Sequence, residues 1–391
     1  MGRMIAIMLN GIRVVDFSLY LPGPYASLRL ADMGAEVIKV ESPAGDPARV
    51  LSATEDGNGD GYVFQVQNRS KKSIVLNLKE AEGQRIAREM IRRADIVIES
   101  FRPGVAERLG IGYEQIKQVR PDIIYCSLSG YGQHGMMSHL ASHDLNYVAL
   151  SGVLSQMKDH FGTPIHPSIT FADLIGGIAA SEAILGALVQ RGRSGQGAYL
   201  DISLADVLIT LMGNHVLLES ATGEQHGVPA LNKRIISYYI YETRDGRFVS
   251  LAALEAKFWT NFCRAVNRED WIPAHLTAPH EDNLVFQEIK ELFRSRPLAE
   301  WDRLSLEVDC CLAPVLEVGE LYGHPYIKER GLIREQWGTR HVATRYTGDE
   351  TLVSRSTPPP GHGEHTDEVL SELVGASRSQ LEEWRKKGVI G

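Results

Sequence analysis

The stretch IRVVDFSLYLPGPYASLRLADMGAEVIKV, from Ile12 to Val40, decides the fold. It opens on one apolar run, Ile12–Phe17, and closes on another, Glu36–Val40. Ala26–Met33 between them has helical periodicity. Strand, helix, strand in that order is the unit of a parallel sheet with a right-handed crossover.

The same alternation continues outward. Ser73–Leu76, Ile96–Glu99 and Ile123–Leu128 read as further strands. Several of these runs are apolar on both faces, as strands buried inside a parallel sheet are. Glu80–Arg93 and Val105–Val119 have helical periodicity. Asp173–Gln190 is a long helix of Ala, Ile, Leu and Gly with few charges, expected to be buried. Arg191–Gly197 (RGRSGQG) stops it, and Gly197–Ser203 reads as another strand. Near residue 220 the texture changes. Thr222–Lys233 is polar and loop-like. Tyr238–Glu242 and Arg247–Ala252 flank a Thr243-Arg244-Asp245-Gly246 turn and read as a hairpin. Helices follow at Lys257–Val266, Asn283–Ser295 and Leu298–Glu307. Beyond the Thr357–Gly363 turn, Thr366 caps a helix through Glu372, and Ser377-x-x-Gln380 is a capping box for a last helix. The expected class is α/β. A Rossmann-like large domain with a parallel sheet takes residues 1–220 and a C-terminal return over 331–391. A smaller α+β domain takes residues 221–330.

A chain of 391 residues is too long for one small core. Its formal net charge of −8 gives no general attraction to nucleic acid or an anionic membrane, so neither is expected as a partner. A polyanionic ligand would need a local basic pocket. No run of about 18 uninterrupted apolar residues is present, and no membrane span is expected. The four cysteines show no metal-ligand spacing, so no metal site is expected. Cys310 and Cys311 read as small buried hydrophobes, and a reducing, cytoplasmic compartment fits.

His143 and Asp173 lie thirty positions apart, each where a helix begins beyond a loop. At such a place a carboxylate is expected to stay ionised, ready to act as base or nucleophile. An imidazole there is biased toward its neutral, proton-accepting form. Taken alone, Asp173 reads equally as a helix cap and His143 as a polar loop residue. Asp144 is an alternative to His143 as the charged group of its helix. Glu255 follows an apolar strand and precedes an aromatic helix start, where it can orient an imidazole or simply cap. Lys39, Arg49, Lys72, Arg102 and Arg108 fall near strand ends or loops, and such a set can hold phosphates. Leu21-Pro22-Gly23-Pro24-Tyr25 occupies the place of a G-x-G-x-x-G fingerprint without being one. Ala35–Glu41 nevertheless ends in an acid as a second dinucleotide-binding strand does, which leaves NAD as a minor alternative.

The segments VVDFSLYLPGPYAS, LADMGAEVIKVESPAGDPAR, NRSKKSIVLNLK, ADIVIESFRPGVAERLGIGYE, SLSGYGQHG, SHDLNY, FADLIGG and GHGEHTDEVL together resemble the family III CoA-transferases (CaiB/BaiF), the group that includes formyl-CoA transferase, carnitine-CoA transferase and α-methylacyl-CoA racemase. The resemblance implies an interlocked homodimer and an acyl-CoA thioester as substrate. Coenzyme A then enters as part of the substrate, with no tightly bound cofactor. In the transferases, the residue matching Asp173 is a nucleophile that becomes an aspartyl-CoA thioester. In the racemases, it exchanges the α-proton together with a His matching His143, supported by a Glu matching Glu255. SHDLNY, and the lack of an evident glycine-rich loop, favour the racemase branch: epimerisation of a 2-methylacyl-CoA through an enolate. CoA transfer between an acyl-CoA and a carboxylic acid is the alternative. Asp144 and Tyr147, within SHDLNY, join the basic residues as expected substrate contacts. Many relatives carry a basic residue at the position of Ser42, for which Lys39, Arg49 or Lys72 can substitute. Backbone N–H groups at the Asp173 helix start are expected to face the enolate oxygen. Met136, Met137 and Met157 are candidates for the acyl pocket, which the Met157–His166 segment would help to shape.

Overall fold

The structure, a computed structural model, describes residues 8–51, 59–159, 161–227, 235–343 and 356–391. Contacts divide the chain into two compact units, Met1–Met212 with Arg334–Gly391, and Gly213–Ile333.

The first unit is built on six strands: β1 (Arg13–Asp16), β2 (Glu36–Glu41), β3 (Lys72–Val75), β4 (Ile96–Glu99), β5 (Ile124–Ser129) and β6 (Ala198–Ser203). They pair in the order β3-β2-β1-β4-β5-β6, and all are parallel. This is the doubly wound order, with its topological switch between β1 and β4. The helices are α1 (Pro22–Asp32), α2 (Tyr62–Asn68), α3 (Ala81–Ile91), α4 (Val105–Arg108), α5 (Tyr113–Val119), α6 (Asp144–Leu150), α7 (Val153–Gln156), α8 (Phe171–Ser194) and α9 (Leu204–Thr210).

Strand alternation sends Val15, Ile38 and Val97 into one core, with Ile86 and Met90 of α3. Val14, Val37 and Ile98 enter the other, with Leu30 of α1 and Ile184 of α8. Both cores are closed to water, and that burial drives the fold. Val105–Val119 is two helices rather than one. Gly110 takes φ 71, a left-handed turn that ends α4, and the Gly112 N–H donates to the Gln115 side chain to start α5.

α8 is the spine of this unit. By length and composition alone it could cross a membrane, yet it carries Asp173 in its first turn. Its buried face packs on α1. A Cβ at Gly177 would come within 2.7 Å of the Pro22 carbonyl oxygen, so only glycine admits this approach.

The second unit begins earlier than residue 221, at α10 (Gly213–Thr222). An antiparallel sheet follows, in which β7 (Tyr238–Glu242) and β8 (Phe248–Ala252) form the expected hairpin. The sequence did not reveal its third strand, β9 (Leu312–Pro314). The sheet packs on α11 (Ala256–Ala265), α12 (Leu284–Arg294) and α13 (Leu298–Glu307) around Trp259, Phe262, Phe293 and Trp301. Short helices α14 (Val318–Leu321) and α15 (Pro325–Arg330) precede a ribbon of β10 (Ile333–Gln336) and β11 (Thr339–Val342). Part of the expected Thr222–Lys233 loop lies outside the described residues.

The chain end returns to the large sheet. α16 (Thr366–Val374) and α17 (Arg378–Lys386) place Leu370 and Trp384 in the α3-side core. Thr366 does not cap its helix, where His365 is the N-cap residue. Its hydroxyl instead accepts from the Val75 N–H at 3.1 Å and pins α16 to β3. The Ser377 capping box forms with Gln380.

Candidate active site

Two helix N-termini meet at one carboxylate. α6 starts at Asp144, with His143 as its N-cap residue in extended backbone, and the His143 N–H donates to the Asn146 side chain at 3.0 Å. α8 starts after Thr170, which makes no side-chain cap. The cap comes from outside: Asp144 Oδ1 accepts from the Asp173 N–H at 3.1 Å, and the Ala172 N–H also serves this carboxylate. The Ala172 and Asp173 N–H groups are thus spent on Asp144, and those of Phe171 and Leu174 on the Ile169 and Thr170 carbonyls. Two expectations change. The Asp173 N–H is not free for an enolate oxygen. Nor does the helix hold Asp173 ionised: burial, with the Asp144 charge adding to it, pushes the Asp173 carboxyl up to about 7. Asp144 is raised too, by burial, against the pull of the two N–H groups and of His166. Asp144 is therefore the α8 cap and the charge that faces Asp173.

His143 is exposed at the head of α6. Tyr147 is buried beneath it, its hydroxyl 2.7 Å from Ser142 Oγ. A Cβ at Gly130 would meet that hydroxyl at 2.3 Å. Tyr147 therefore packs under the β5–α6 loop. Met136 is 96% exposed, while Met137 and Met157 are half-buried. The Met157–His166 segment folds back on itself: Lys158 bridges Pro164, and Asp159 Oδ1 accepts from the Phe161 and Thr163 N–H groups. Residue 160 lies outside the described residues. Glu255 is the exposed N-cap residue of α11 in the second unit, near Cys311.

The basic residues separate into two groups. Lys39 is fully buried, with Nζ 2.7 Å from Asp46 and 2.9 Å from the Ser18 carbonyl. Arg49 grips Glu41 through Nε (2.8 Å) and Nη2 (2.7 Å) and Asp60 through Nη1 (2.6 Å), and stacks on Phe64. Lys72 bridges Glu36 at 3.0 Å and Glu368 at 2.9 Å. All three are engaged in ion pairs: Lys39 and Arg49 are held against buried carboxylates, where losing the partner would leave a buried charge, whereas the Lys72 pairs are half-exposed. Arg102 and Arg108 are exposed and form no ion pair among the described residues.

A cavity of about 340 Å³ opens at the carboxyl ends of β1 to β4, around the topological switch. Phe17, Leu19, Val40, Leu76, Phe101 and Leu109 make its apolar walls, and Ser42, Asn77 and Lys79 add polar groups. Lys79 is exposed and forms no ion pair among the described residues. Arg102 and Arg108 each adjoin a lining residue in the chain. The sequence reading missed Lys79, Asn77 and Phe101. The signal was there: in open α/β sheets, ligands sit beyond the carboxyl ends of strands at the switch.

This fold and site define an acyl-CoA enzyme class: the chain belongs to CoA-transferase family III, whose model matches residues 9–366. It is similar to the succinyl-CoA:glutarate CoA-transferase of Mus musculus (31% identity, covering 98% of this chain and 90% of that one). It is also similar to the α-methylacyl-CoA racemase of Homo sapiens (30% identity, 98% and 97%). Among solved structures it resembles a CaiB/BaiF family protein from Brucella suis, with a TM-score of 0.81, 26% identity, and coverage of 93% of this chain and 99% of that one.

The raised Asp173 carboxyl has a stability consequence. Its folded pKa exceeds the ordinary value of 3.8, so the folded state holds the extra proton between about pH 4 and pH 7. Stability is lost as pH rises through that window, and the full deficit is present above it. Asp173→Asn should therefore raise Tm over wild type at about pH 8 and lose that advantage at about pH 4. Equal Tm differences at both pH values in thermal melts would contradict the raised carboxyl.

Proposed function

We propose that this enzyme epimerises the α-carbon of a 2-methylacyl-CoA. The observation that carries this reading is the half-buried Asp173 at the head of α8, set against the Asp144 carboxylate, an environment that raises its carboxyl to about 7. A proton-exchanging group works best when its pKa lies near the working pH, whereas a nucleophilic carboxylate gains nothing from holding a proton. His143, at the head of the adjoining helix, supplies the second group. The thioester carbonyl acidifies the α-C–H. Asp173 removes the proton from one face, and His143 delivers one to the other. One C–H bond breaks, one forms, and only the configuration changes. The Asp144 N–H, which has no acceptor among the described residues, is the proposed donor to the enolate oxygen. The cavity at the switch point takes the CoA nucleotide, with Lys79, Arg102 and Arg108 serving its phosphates.

CoA transfer is the second reading, favoured by the transferase relative that matches the chain as well as the racemase does. Asp173 would then attack the thioester carbonyl and carry CoA as an aspartyl thioester. Incubation with 2-methylacyl-CoA in D2O without an acceptor acid separates the two. The racemase reading predicts deuterium at the α-carbon with loss of chirality, and loss of both in Asp173→Asn. Absence of exchange, with CoA transfer once a dicarboxylic acid is added, would overturn it.

We also propose that the working form is a homodimer. Ile178 and Val189 of α8, and Ile209 and Leu211 in and after α9, are exposed apolar residues that a second subunit would cover. Sedimentation at micromolar concentration should return the dimer mass, and a monomer would contradict it.

A further inference from the structure

Glu99 ends β4 at the centre of the sheet and is 2% exposed. The proposed chemistry does not use it. It bonds Ser127 on β5, and its Oε2 accepts from the Phe101 N–H at 2.7 Å. Phe101 is a wall of the switch-point cavity. The Phe101 carbonyl accepts from Gln133 Nε2 at 3.4 Å, and the Gln133 N–H is in turn held by the Asp201 carboxylate at 3.1 Å. On the other side, Ser100 Oγ accepts from the N–H of Leu19, another wall residue, at 2.9 Å. Three loops, after β1, β4 and β5, are thereby stitched together around the cavity.

Among the described residues no cation pairs with Glu99. The titratable groups that face it are Tyr125 and Cys126 on β5, Tyr199 and Asp201 on β6, and Glu107 on α4. Burial, with Glu107 and Asp201 adding to it, raises the Glu99 carboxyl to about 7. A bound polyanion would add further negative charge and favour the protonated form.

We propose that Glu99 is a positioning residue for the nucleotide end of a CoA thioester: its carboxyl fixes the Phe101 wall, and it takes a proton from solvent when a polyanion fills the cavity. This rests on the reading of that cavity as the nucleotide site. The neutral acid keeps Oε2 as an acceptor for Phe101 while removing a negative charge from behind that wall of the cavity.

The probe is adenosine 3′,5′-bisphosphate, which lacks the acyl end and so does not reach Asp173. Its affinity is measured by calorimetry at about pH 6 and about pH 8, in buffers of different ionisation enthalpy. Wild type should bind with proton uptake. Between the two pH values it should lose affinity by about threefold or more relative to Glu99→Gln, in which the charge cannot form. The ratio of wild type to variant cancels the probe's own ionisation. Asp201→Asn should move the wild-type midpoint to lower pH, because a like charge is removed. An unchanged ratio at both pH values, with the probe bound, would overturn the role of Glu99 alone. Failure of wild type to bind the probe at either pH would overturn the nucleotide reading of the cavity, and this inference with it.

Discussion

The 3.1 Å hydrogen bond from the Asp173 N–H to the Asp144 carboxylate joins the heads of α6 and α8. It satisfies a helix start that Thr170 leaves uncapped, and it fixes where His143 and Asp173 stand. It also sets the charge state of the site. A helix N-terminus ordinarily favours a nearby carboxylate anion, but its donors serve one anion well and a second poorly. Asp144 takes that place. Asp173 is left half-buried beside a like charge, which is why its proton is held near neutrality. The raised Asp173 carboxyl thus comes from burial and from two carboxylates competing for one helix end.

Beneath the carboxyl ends of β1 and β2 lies a second electrostatic layer with a structural task. Asp16 accepts from the Ser18 N–H and from Ser27 and Lys71, while Lys39 pairs with Asp46 and Arg49 with Glu41. Lys71 is fully buried, and burial lowers it to about 7 despite the opposing pull of Asp16. These pairs hold Ser18, after β1, and the first turn of α1, whose Pro22 carbonyl lies where α1 meets Gly177 of α8. They hold the site in place from below but leave Lys39 and Arg49 with nothing to offer a ligand. The exposed Lys79, Arg102 and Arg108, which form no ion pair among the described residues, are the cations proposed for a polyanion, beside walls that are mostly apolar.

The parallel sheet was legible because period and composition are local: Ile12–Phe17, Glu36–Val40 and Ile96–Glu99 announce buried strands whatever lies around them. The His143 and Asp173 helix starts were legible for the same reason. The ionisation of Asp173 was not, because the group that decides it is Asp144, twenty-nine positions away and on another helix. Lys39, Arg49 and Lys72 were read as phosphate ligands because a sequence shows a cation but not its partner, and Glu368 lies nearly three hundred residues from Lys72. Val105–Val119 was read as one helix because isolated glycines such as Gly110 and Gly112 in a periodic run are often tolerated. Here Gly110 takes a left-handed turn. The cavity was missed because its walls come from four strand ends that only the sheet order brings together.

The proposed chemistry turns on one number, the pH at which Asp173 releases its proton. It is read most directly by 13C NMR titration of protein labelled at the aspartate side-chain carboxyls, with Asp173→Asn identifying the signal. The account predicts a midpoint near the raised value of about 7, moving down when Asp144 is replaced by Asn. A midpoint near the ordinary 3.8, unmoved by Asp144→Asn, would contradict it.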